Sequence, residues 1–183
     1  MFIPQDGMKI LALSGSLRAA SQNTMLLRAV ARLSPPGIDV IVYPGLGELP
    51  LFNPDIEFPN PRAVASLRGA IMVADAVIIA SPEYAHGVSG VIKNALDWMV
   101  GNESFVQKPV ALINAAPRAT HAYQSLRETV TMMSAQMVDA ACITLPIPLT
   151  NLTENDIVQH PRLSKTLSAM LDALALHQAP TTP

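Results

Sequence analysis

The chain has 183 residues, 50% of them hydrophobic and only 14% charged, and its formal net charge at pH 7 is −2. This balance argues against a nucleic-acid-binding protein, which needs a basic surface, and no run of 18 apolar residues predicts a membrane-spanning helix. The single cysteine, Cys142, excludes an internal disulfide and a cysteine metal cluster, so we expect a cytoplasmic protein without a metal site.

One domain is expected over residues 1–183, with loose termini at 1–7 and 179–183. Amphipathic helical patterns, the last over 162–177, separate a series of apolar segments that predict β-strands. The strands are expected at 8–13, 38–43, 76–80, 110–114 and 140–145. This alternation predicts an α/β fold whose parallel sheet is covered by helices on both faces.

Polar residues and a proline mark the expected beginnings of several helices. Asn60 and Pro61 fit a helix cap followed by a first-turn proline. Ser89 fits the cap of a helix that follows the third strand, and Thr120 fits another cap. The helix after Thr120 would carry apolar side chains along one face as far as Met137.

A serine-rich loop follows the first strand and opens onto a helix. It carries side chains suited to a phosphate, namely Ser16, Arg18, Ser21, Asn23 and Thr24. The helix start adds free backbone N–H groups and the positive end of a dipole. Because Gly15 is its only glycine and no Gly-Lys-Ser/Thr follows, the loop lacks the dinucleotide and Walker patterns and favours a monophosphate. An ordinary turn capped by a serine is the alternative interpretation.

A second polar loop follows the third strand. Pro82 restricts its backbone, and Gly87 permits a positive φ or the close approach of a ligand. The residues between them are Glu83, Tyr84, Ala85 and His86. This set contains no cysteine and no pair of carboxylates, so it suits holding a flat polar ring better than attacking a bond.

The polar residues in and after this loop also have structural interpretations. His86 would be a hydrogen-bonded or solvent-facing loop histidine, and Glu83 would be a surface charge or the partner of a helix end. Trp98 would pack at a helix end or at a subunit interface. Lys93 and Asp97 would form a weak i, i+4 surface pair.

Both loops are expected at the same edge of the sheet. In the strand order 2-1-3-4-5, the first and third strands are neighbours, and the strand order reverses between them. Ligands of open α/β sheets bind in the crevice outside the carboxyl ends of the strands at such a point. The two loops together therefore predict a mononucleotide site, with one loop at the phosphate and the other at the ring.

These motifs resemble the NADPH-dependent FMN reductase family, which includes quinone, chromate and azo-dye reductases. The resemblance spans about residues 8–175 and rests on Gly-Ser-Leu-Arg at 15–18 with Ser21 and Asn23, Leu-Pro-Leu-Phe-Asn at 49–53, Pro-Glu-Tyr at 82–84, and Lys-Asn-Ala-Leu-Asp-Trp at 93–98.

The resemblance implies a flavodoxin-like three-layer sandwich, with a five-stranded parallel sheet in the order 2-1-3-4-5. It implies non-covalently bound FMN, NADPH or NADH as electron donor, and a small electron acceptor such as a quinone, free flavin, an azo dye or a metal oxyanion. Homodimers or homotetramers are typical, and no nucleic acid or membrane is expected as a partner. No side chain is expected to serve as a catalytic acid, base or nucleophile, because the cofactor carries the chemistry.

The resemblance also implies which residues bind the cofactor. The phosphate residues would be Ser16, Arg18, Ser21, Asn23 and Thr24, and the ring-side residues would be Pro82, Glu83, Tyr84, Ala85, His86 and Gly87. Ala116, in the turn after the fourth strand, would complete the site.

The chain departs from the family pattern in two places. Many members have Asn where this chain has Ala85, so one side-chain contact is lost while backbone contacts can remain. The turn after the fourth strand is usually rich in serine and glycine, whereas residues 114–119 hold no glycine. Pro117 cannot donate a backbone hydrogen bond there, and Arg118 adds a charge, so we expect this part of the site and the substrate preference to depart from the family pattern.

Two other functions fit the same fold. A flavodoxin-type carrier would exchange electrons with a protein partner without oxidising NAD(P)H, but such carriers tend to be strongly acidic, unlike this chain with its net charge of −2. A flavin-free relative would bind a different ligand in the crevice, and the altered turn at 116–118 is its support.

Overall fold

A parallel β-sheet forms the centre of the protein. The computed structural model describes residues 7–145 and 151–178. In chain order the strands are β1 (Met8–Ser14), β2 (Ile38–Val42), β3 (Ala76–Ala80), β4 (Glu83–Tyr84), β5 (Gly87–Val88), β6 (Pro109–Asn114), β7 (Gln136–Met137) and β8 (Ile143–Thr144). The sheet runs β2-β1-β3-β6-β7, with β8 also parallel to β6, while β4 and β5 form a separate antiparallel hairpin. The predicted flavodoxin-like order is confirmed.

Helices cover both faces of the sheet, as predicted. They are α1 (Gln22–Leu33), α2 (Arg62–Val73), α3 (Gly90–Val100), α4 (His121–Met132), α5 (Glu154–Gln159) and α6 (Pro161–Gln178). The apolar sides of α1, α5 and α6 pack on one face, and those of α2, α3 and α4 pack on the other. Within the described ranges, every helix is too short or too polar to cross a membrane.

The central strand β3 shows why the sheet needs helices on both sides. All of its side chains are buried. Ile78 packs on the α1 and α6 face, whereas Val77 and Ile79 pack on the α2 and α3 face. Burying each such side chain contributes about 1.5–3 kcal/mol, which makes this strand the stable support for the loop that follows it.

The fifth strand differs from the prediction at 140–145. It consists of β7 and β8, separated by a 3₁₀ turn at Asp139–Ala141. The backbone N–H of Cys142 donates to the carbonyls of Val138 and Asp139, which closes the turn. The turn interrupts the pairing with β6 between β7 and β8, because its own hydrogen bonds satisfy the backbone there.

Two predictions about helix ends were wrong. The N-cap of α2 is Pro61 rather than Asn60, and it has no side chain that can accept a hydrogen bond. Helix α4 ends at Met132, and Ser134 turns the chain with a φ of +63°. Met137 therefore lies in β7 and not on the apolar face of the helix. Ser89 caps α3 as predicted, accepting a hydrogen bond from the N–H of Ile92.

Candidate functional site

Three loops leave the carboxyl edge of neighbouring strands in the sheet. These are the β1–α1 loop (residues 15–21), the β3–α3 segment (residues 81–89), which contains the β4–β5 hairpin, and the β6–α4 loop (residues 115–120). The strand register places Ser14 beside Ala80, and Ala80 beside Ile113. The loops therefore start side by side, at the point where ligands bind in open α/β sheets.

The β1–α1 loop is fixed to the start of α1 by its own hydroxyl groups. Ser21 caps the helix, and its Oγ accepts a hydrogen bond from the N–H of Thr24 at 3.2 Å. The hydroxyls of Ser14 and Thr24 are bonded to each other at 2.7 Å. The predicted serine cap is thus confirmed, and it leaves the hydroxyl proton of Ser21 and the N–H groups of Gln22 and Asn23 for a ligand.

The unpartnered side-chain oxygen of Asn23 indicates that a ligand binds in this loop. The residue is 8% exposed, and its Oδ1 has no hydrogen-bond partner among the described residues. A buried polar atom without a partner is costly. A ligand hydroxyl would satisfy Oδ1, and the amide in its other orientation would place its NH₂ there to donate to a phosphate oxygen. The residues of this loop therefore fit the phosphate end of a mononucleotide.

A cavity of about 310 Å³ opens beside the same loop. Among the residues lining it are Ser16, Arg18, Thr24, Arg28 and Tyr43. Sequence reasoning missed Arg28, although its position four residues after Thr24 places the two side chains on one side of α1. Arg18 and Arg28 both line this cavity, and their two positive charges favour an anion as its ligand.

Gly15 lets the β1–α1 loop contact the β3–α3 segment. A Cβ atom at this position would lie 2.6 Å from Ser81 Oγ, 2.8 Å from Ser89 Oγ and 2.9 Å from Ile92 Cγ1. Its N–H donates to the carbonyl of Ala80 at 2.8 Å. Because no larger residue fits without displacing these atoms, the glycine permits the contact between the β1–α1 loop and the β3–α3 segment. These two stretches form two walls of the candidate site, and the sequence predicted that they would meet.

The β4–β5 hairpin has an unusual turn. Glu83 pairs with Val88 and Tyr84 with Gly87, so Ala85 and His86 form the two-residue turn between them. Their φ angles are +48° and +61°, the signs of a type I′ turn, which normally contains Asn-Gly or Gly-Gly. Gly87 belongs to the paired strand and does not have a positive φ, so the first of its two predicted roles was wrong, whereas the close approach of a ligand stays a prediction.

Contacts from α4 hold this hairpin. Glu83 Oε2 accepts a hydrogen bond from the N–H of Ala122 at 2.8 Å. Thr120, predicted as a cap, makes no capping side-chain bond within the described part of the chain, so the Glu83 carboxylate caps the helix instead. The helix-end interpretation of Glu83 is confirmed. His86 stacks on His121, with ring centroids 4.2 Å apart and planes inclined by 14°.

The β6–α4 loop is ordered without a glycine. Buried Asn114 organises it, since Nδ2 donates to the carbonyl of Ala119 and Oδ1 accepts from the N–H of Ala116, both at 3.0 Å. Pro117 and Arg118 are exposed at its tip. The missing glycine therefore does not leave this wall without structure, and the chain uses an asparagine side chain to close the turn.

Helix α3 anchors the irregular segment that follows β2. The carbonyl of Pro50 accepts hydrogen bonds from Trp98 Nε1 at 2.8 Å and from Asn94 Nδ2 at 3.0 Å. Trp98 is 1% exposed, so its predicted packing role is confirmed. Lys93 and Asp97 form the predicted surface pair, with Nζ and Oδ1 2.6 Å apart.

Two ionisable groups near the ends of the sheet have shifted pKa values. Burial, with a smaller effect from the neighbouring Cys142, raises the pKa of Tyr123 to about 12. Burial lowers the pKa of Lys108, and the charge of Asp75 offsets part of this shift. Lys108 donates to the carbonyl of Ala74 at the opposite edge of the sheet, so it plays no part in the candidate site.

Sheet order and loop placement define a flavodoxin-like α/β protein. The family model of the NADPH-dependent FMN reductases matches residues 8–148, and the chain belongs to this family.

Among curated relatives, the chain is 38% identical over 114 residues to an NAD(P)H-dependent FMN reductase of Pseudomonas aeruginosa, a match covering 61% of both chains. It is 43% identical over 112 residues to the NADPH:quinone oxidoreductase of Arabidopsis thaliana, covering 58% of this chain and 57% of the relative. A quinone reductase of Escherichia coli K12 is 33% identical over 111 residues, covering 58% and 59%. The matched part of the chain thus spans about three fifths of the length of these relatives.

Solved structures share the fold. The flavoenzyme NAD(P)H:(acceptor) oxidoreductase FerB of Paracoccus denitrificans matches with a TM-score of 0.75 at 24% identity, covering 93% of this chain and 98% of that one. An NADH:FMN oxidoreductase in its apo form matches with a TM-score of 0.65 at 18% identity, covering 96% and 93%.

Proposed function

We propose that the protein is an FMN-dependent NAD(P)H oxidoreductase that reduces a small acceptor such as a quinone, free flavin, an azo dye or a metal oxyanion. The observation that carries the proposal is the contact at Gly15, which brings a loop suited to a phosphate against the segment that contains the β4–β5 hairpin. Membership of the NADPH-dependent FMN reductase family supports the same function.

The phosphate end of FMN would lie in the β1–α1 loop. Its binding residues would be Ser16, Arg18, Ser21, Asn23 and Thr24. The hydroxyl of Ser21, the first-turn N–H groups of α1 and the Arg18 guanidinium would donate to phosphate oxygens. The unpartnered Oδ1 of Asn23 supports this assignment, because a ligand would remove the cost of leaving it unbonded.

The ring of FMN would lie along the β3–α3 segment and the β6–α4 loop. The residues beside it would be Pro82, Glu83, Tyr84, Ala85, His86, Gly87 and Ala116. Glu83 would act indirectly, since its carboxylate is engaged by the N–H of Ala122 and holds the hairpin on α4. Backbone N–H groups at this wall would stabilise negative charge on the ring.

When bound, FMN supplies the electron-transfer chemistry between the nicotinamide and the acceptor. The side chains of the site would bind and orient the flavin, and we assign none of them a role as acid, base or nucleophile. We also propose that the protein forms a homodimer or homotetramer and is located in the cytoplasm. The apolar side chains of Leu51 and Phe58, 84% and 83% exposed, support an assembly because a subunit contact would remove them from water.

The experiment is an absorbance spectrum of the purified protein, taken before and after anaerobic addition of NADPH. Flavin bands that bleach within seconds on NADPH addition are the expected result. Bands that bleach only when a protein reductase is added would replace the proposal with a flavodoxin-type carrier. Absence of flavin bands, together with no uptake of added FMN, would contradict the proposal and favour a flavin-free relative.

A further inference from the structure

Two stacked imidazoles connect the β4–β5 hairpin to the start of α4. His86 is the second turn residue of the hairpin, and His121 is the first residue of the helix. Their ring centroids are 4.2 Å apart and their planes are inclined by only 14°, although both residues are exposed to solvent. Exposed side chains have many other conformations available, so a parallel stack between two separate elements indicates a specific contact.

The hairpin turn needs such a contact. Ala85 and His86 both have positive φ angles, which cost free energy in residues other than glycine. Ala85 has no polar side chain, so it cannot support the left-handed conformation by a local hydrogen bond as Asn does. The turn must therefore be held from outside, and the neighbouring element that contacts His86 is α4.

The second contact between the same elements lies at the base of the hairpin. Glu83 accepts a hydrogen bond from the N–H of Ala122, the residue directly after His121. This bond fixes where the hairpin starts, and the imidazole stack fixes where its turn lies. Together they determine the position of the whole wall formed by residues 83–88.

We propose that His121 is a positioning residue for the candidate site, acting through its stack on His86. The inference rests on the proposed function, since the wall that it positions is the one assigned to the flavin ring. Removing the imidazole of His121 frees the strained turn, and binding must then reorder it. An aromatic ring without ionisable nitrogen atoms at the same position can still stack and should preserve the wall.

The experiment compares FMN binding to the wild-type protein, His121→Ala, His121→Phe and the control His177→Ala. His177 is an exposed histidine on α6 whose ring is bonded to Gln136, away from the candidate site. Fluorescence titration should give a dissociation constant at least about tenfold higher for His121→Ala, because the strained turn is no longer held before binding. His121→Phe and His177→Ala should stay within about twofold of the wild type.

The absorbance of the bound flavin provides a second measurement. His121→Ala should alter the shape of the visible bands, which report on the ring, and His121→Phe should restore them. Wild-type affinity and bands in His121→Ala would overturn the proposal. Equal weakening in the Ala and Phe variants would also overturn it, because the role would then belong to the imidazole and not to the stack.

A measurement on the protein without ligand separates this proposal from the proposed function. In the wild type, the ring protons of His86 should show an upfield nuclear magnetic resonance shift from the stacked imidazole. The shift should be lost in His121→Ala and kept in His121→Phe. If the wild type binds no flavin, the proposed function fails and this comparison alone decides whether His121 positions the hairpin. Unchanged His86 signals in His121→Ala would overturn that role.

Discussion

Replacing Gly15 with alanine should push the β1–α1 loop away from the β3–α3 segment. The new methyl carbon would lie 2.6 Å from Ser81 Oγ, 2.8 Å from Ser89 Oγ and 2.9 Å from Ile92 Cγ1, all closer than carbon atoms normally approach such neighbours. The serine hydroxyls can rotate, but Ile92 is fully buried and has nowhere to move. The backbone of the loop must shift instead.

The loss of unfolding free energy in Gly15→Ala can be estimated from comparable overpacked sites, at which an added methyl group destabilises the protein by about 1–3 kcal/mol. With a urea m-value of about 2 kcal/mol/M for a small domain, the unfolding midpoint should fall by about 0.5–1.5 M. FMN affinity should fall as well, since the phosphate and ring walls would no longer have the same separation. Urea denaturation followed by circular dichroism measures the first effect, and fluorescence titration measures the second.

Gly69→Ala is the matched control, because Gly69 lies inside α2 and a Cβ there would meet no atom of the described residues within 4 Å. This variant should be as stable as the wild type or more stable by about 0.5–1 kcal/mol, since alanine favours a helix interior. A double variant with Ser81→Ala should recover part of the loss caused by Gly15→Ala. Wild-type stability and FMN affinity in Gly15→Ala would refute the contact between the two walls.

Three further substitutions test separate parts of the molecule. Arg18→Ala should weaken FMN binding by about 1.5–3 kcal/mol, or roughly 10- to 150-fold, if the guanidinium bonds the phosphate. Arg32→Ala, near the far end of α1, is the control. Unchanged affinity in Arg18→Ala would show that Arg18 faces elsewhere. Trp98→Phe should lower unfolding stability by about 1–3 kcal/mol in urea, because it removes the bond to Pro50 and leaves a void; equal stability would contradict this. Tyr123 should stay neutral in the folded state up to about pH 12, whereas the unfolded phenol ionises near 10. The stability of the folded state should therefore fall as the pH rises above 10. In a titration followed by absorbance at about 295 nm, Tyr123→Phe should lose the last ionisation step of the wild type. An unchanged titration in that variant would show that the late step does not belong to Tyr123.

The fold could be predicted because its strands are buried on both faces. The apolar run that became β3 has few alternatives in a parallel sheet, which the alternation of strands and helices predicts. Its place beside β1 agrees with the strand order that the family resemblance implies. The fifth strand was harder, since an edge strand receives hydrogen bonds from only one side. A local 3₁₀ turn at Asp139–Ala141 could compete with the ladder there, and no sequence pattern marks that competition.

The candidate site was predictable where single residues have strong local preferences. Ser21 and Ser89 cap helices in a way that their position before an apolar helical pattern indicates. The turn at Ala85 and His86 was not predictable, because both residues disfavour a positive φ and Gly87 was the obvious candidate. The reason lies 35 residues away in the chain: His121 contacts His86 only after the sheet has brought α4 beside the hairpin.

The walls of the site are therefore joined to one another as well as to the sheet. Gly15 joins the β1–α1 loop to the β3–α3 segment, and Glu83 with the imidazole stack joins that segment to α4. Since these contacts are made between parts of the chain itself, they order the loops that would surround the flavin, and less affinity is lost to immobilising loops. Such preorganisation matters most for a cofactor that carries the reactivity itself, because the protein then contributes mainly position and electrostatics. Substitutions at the joining residues should thus change how tightly the flavin is held more than they change what the bound flavin can reduce.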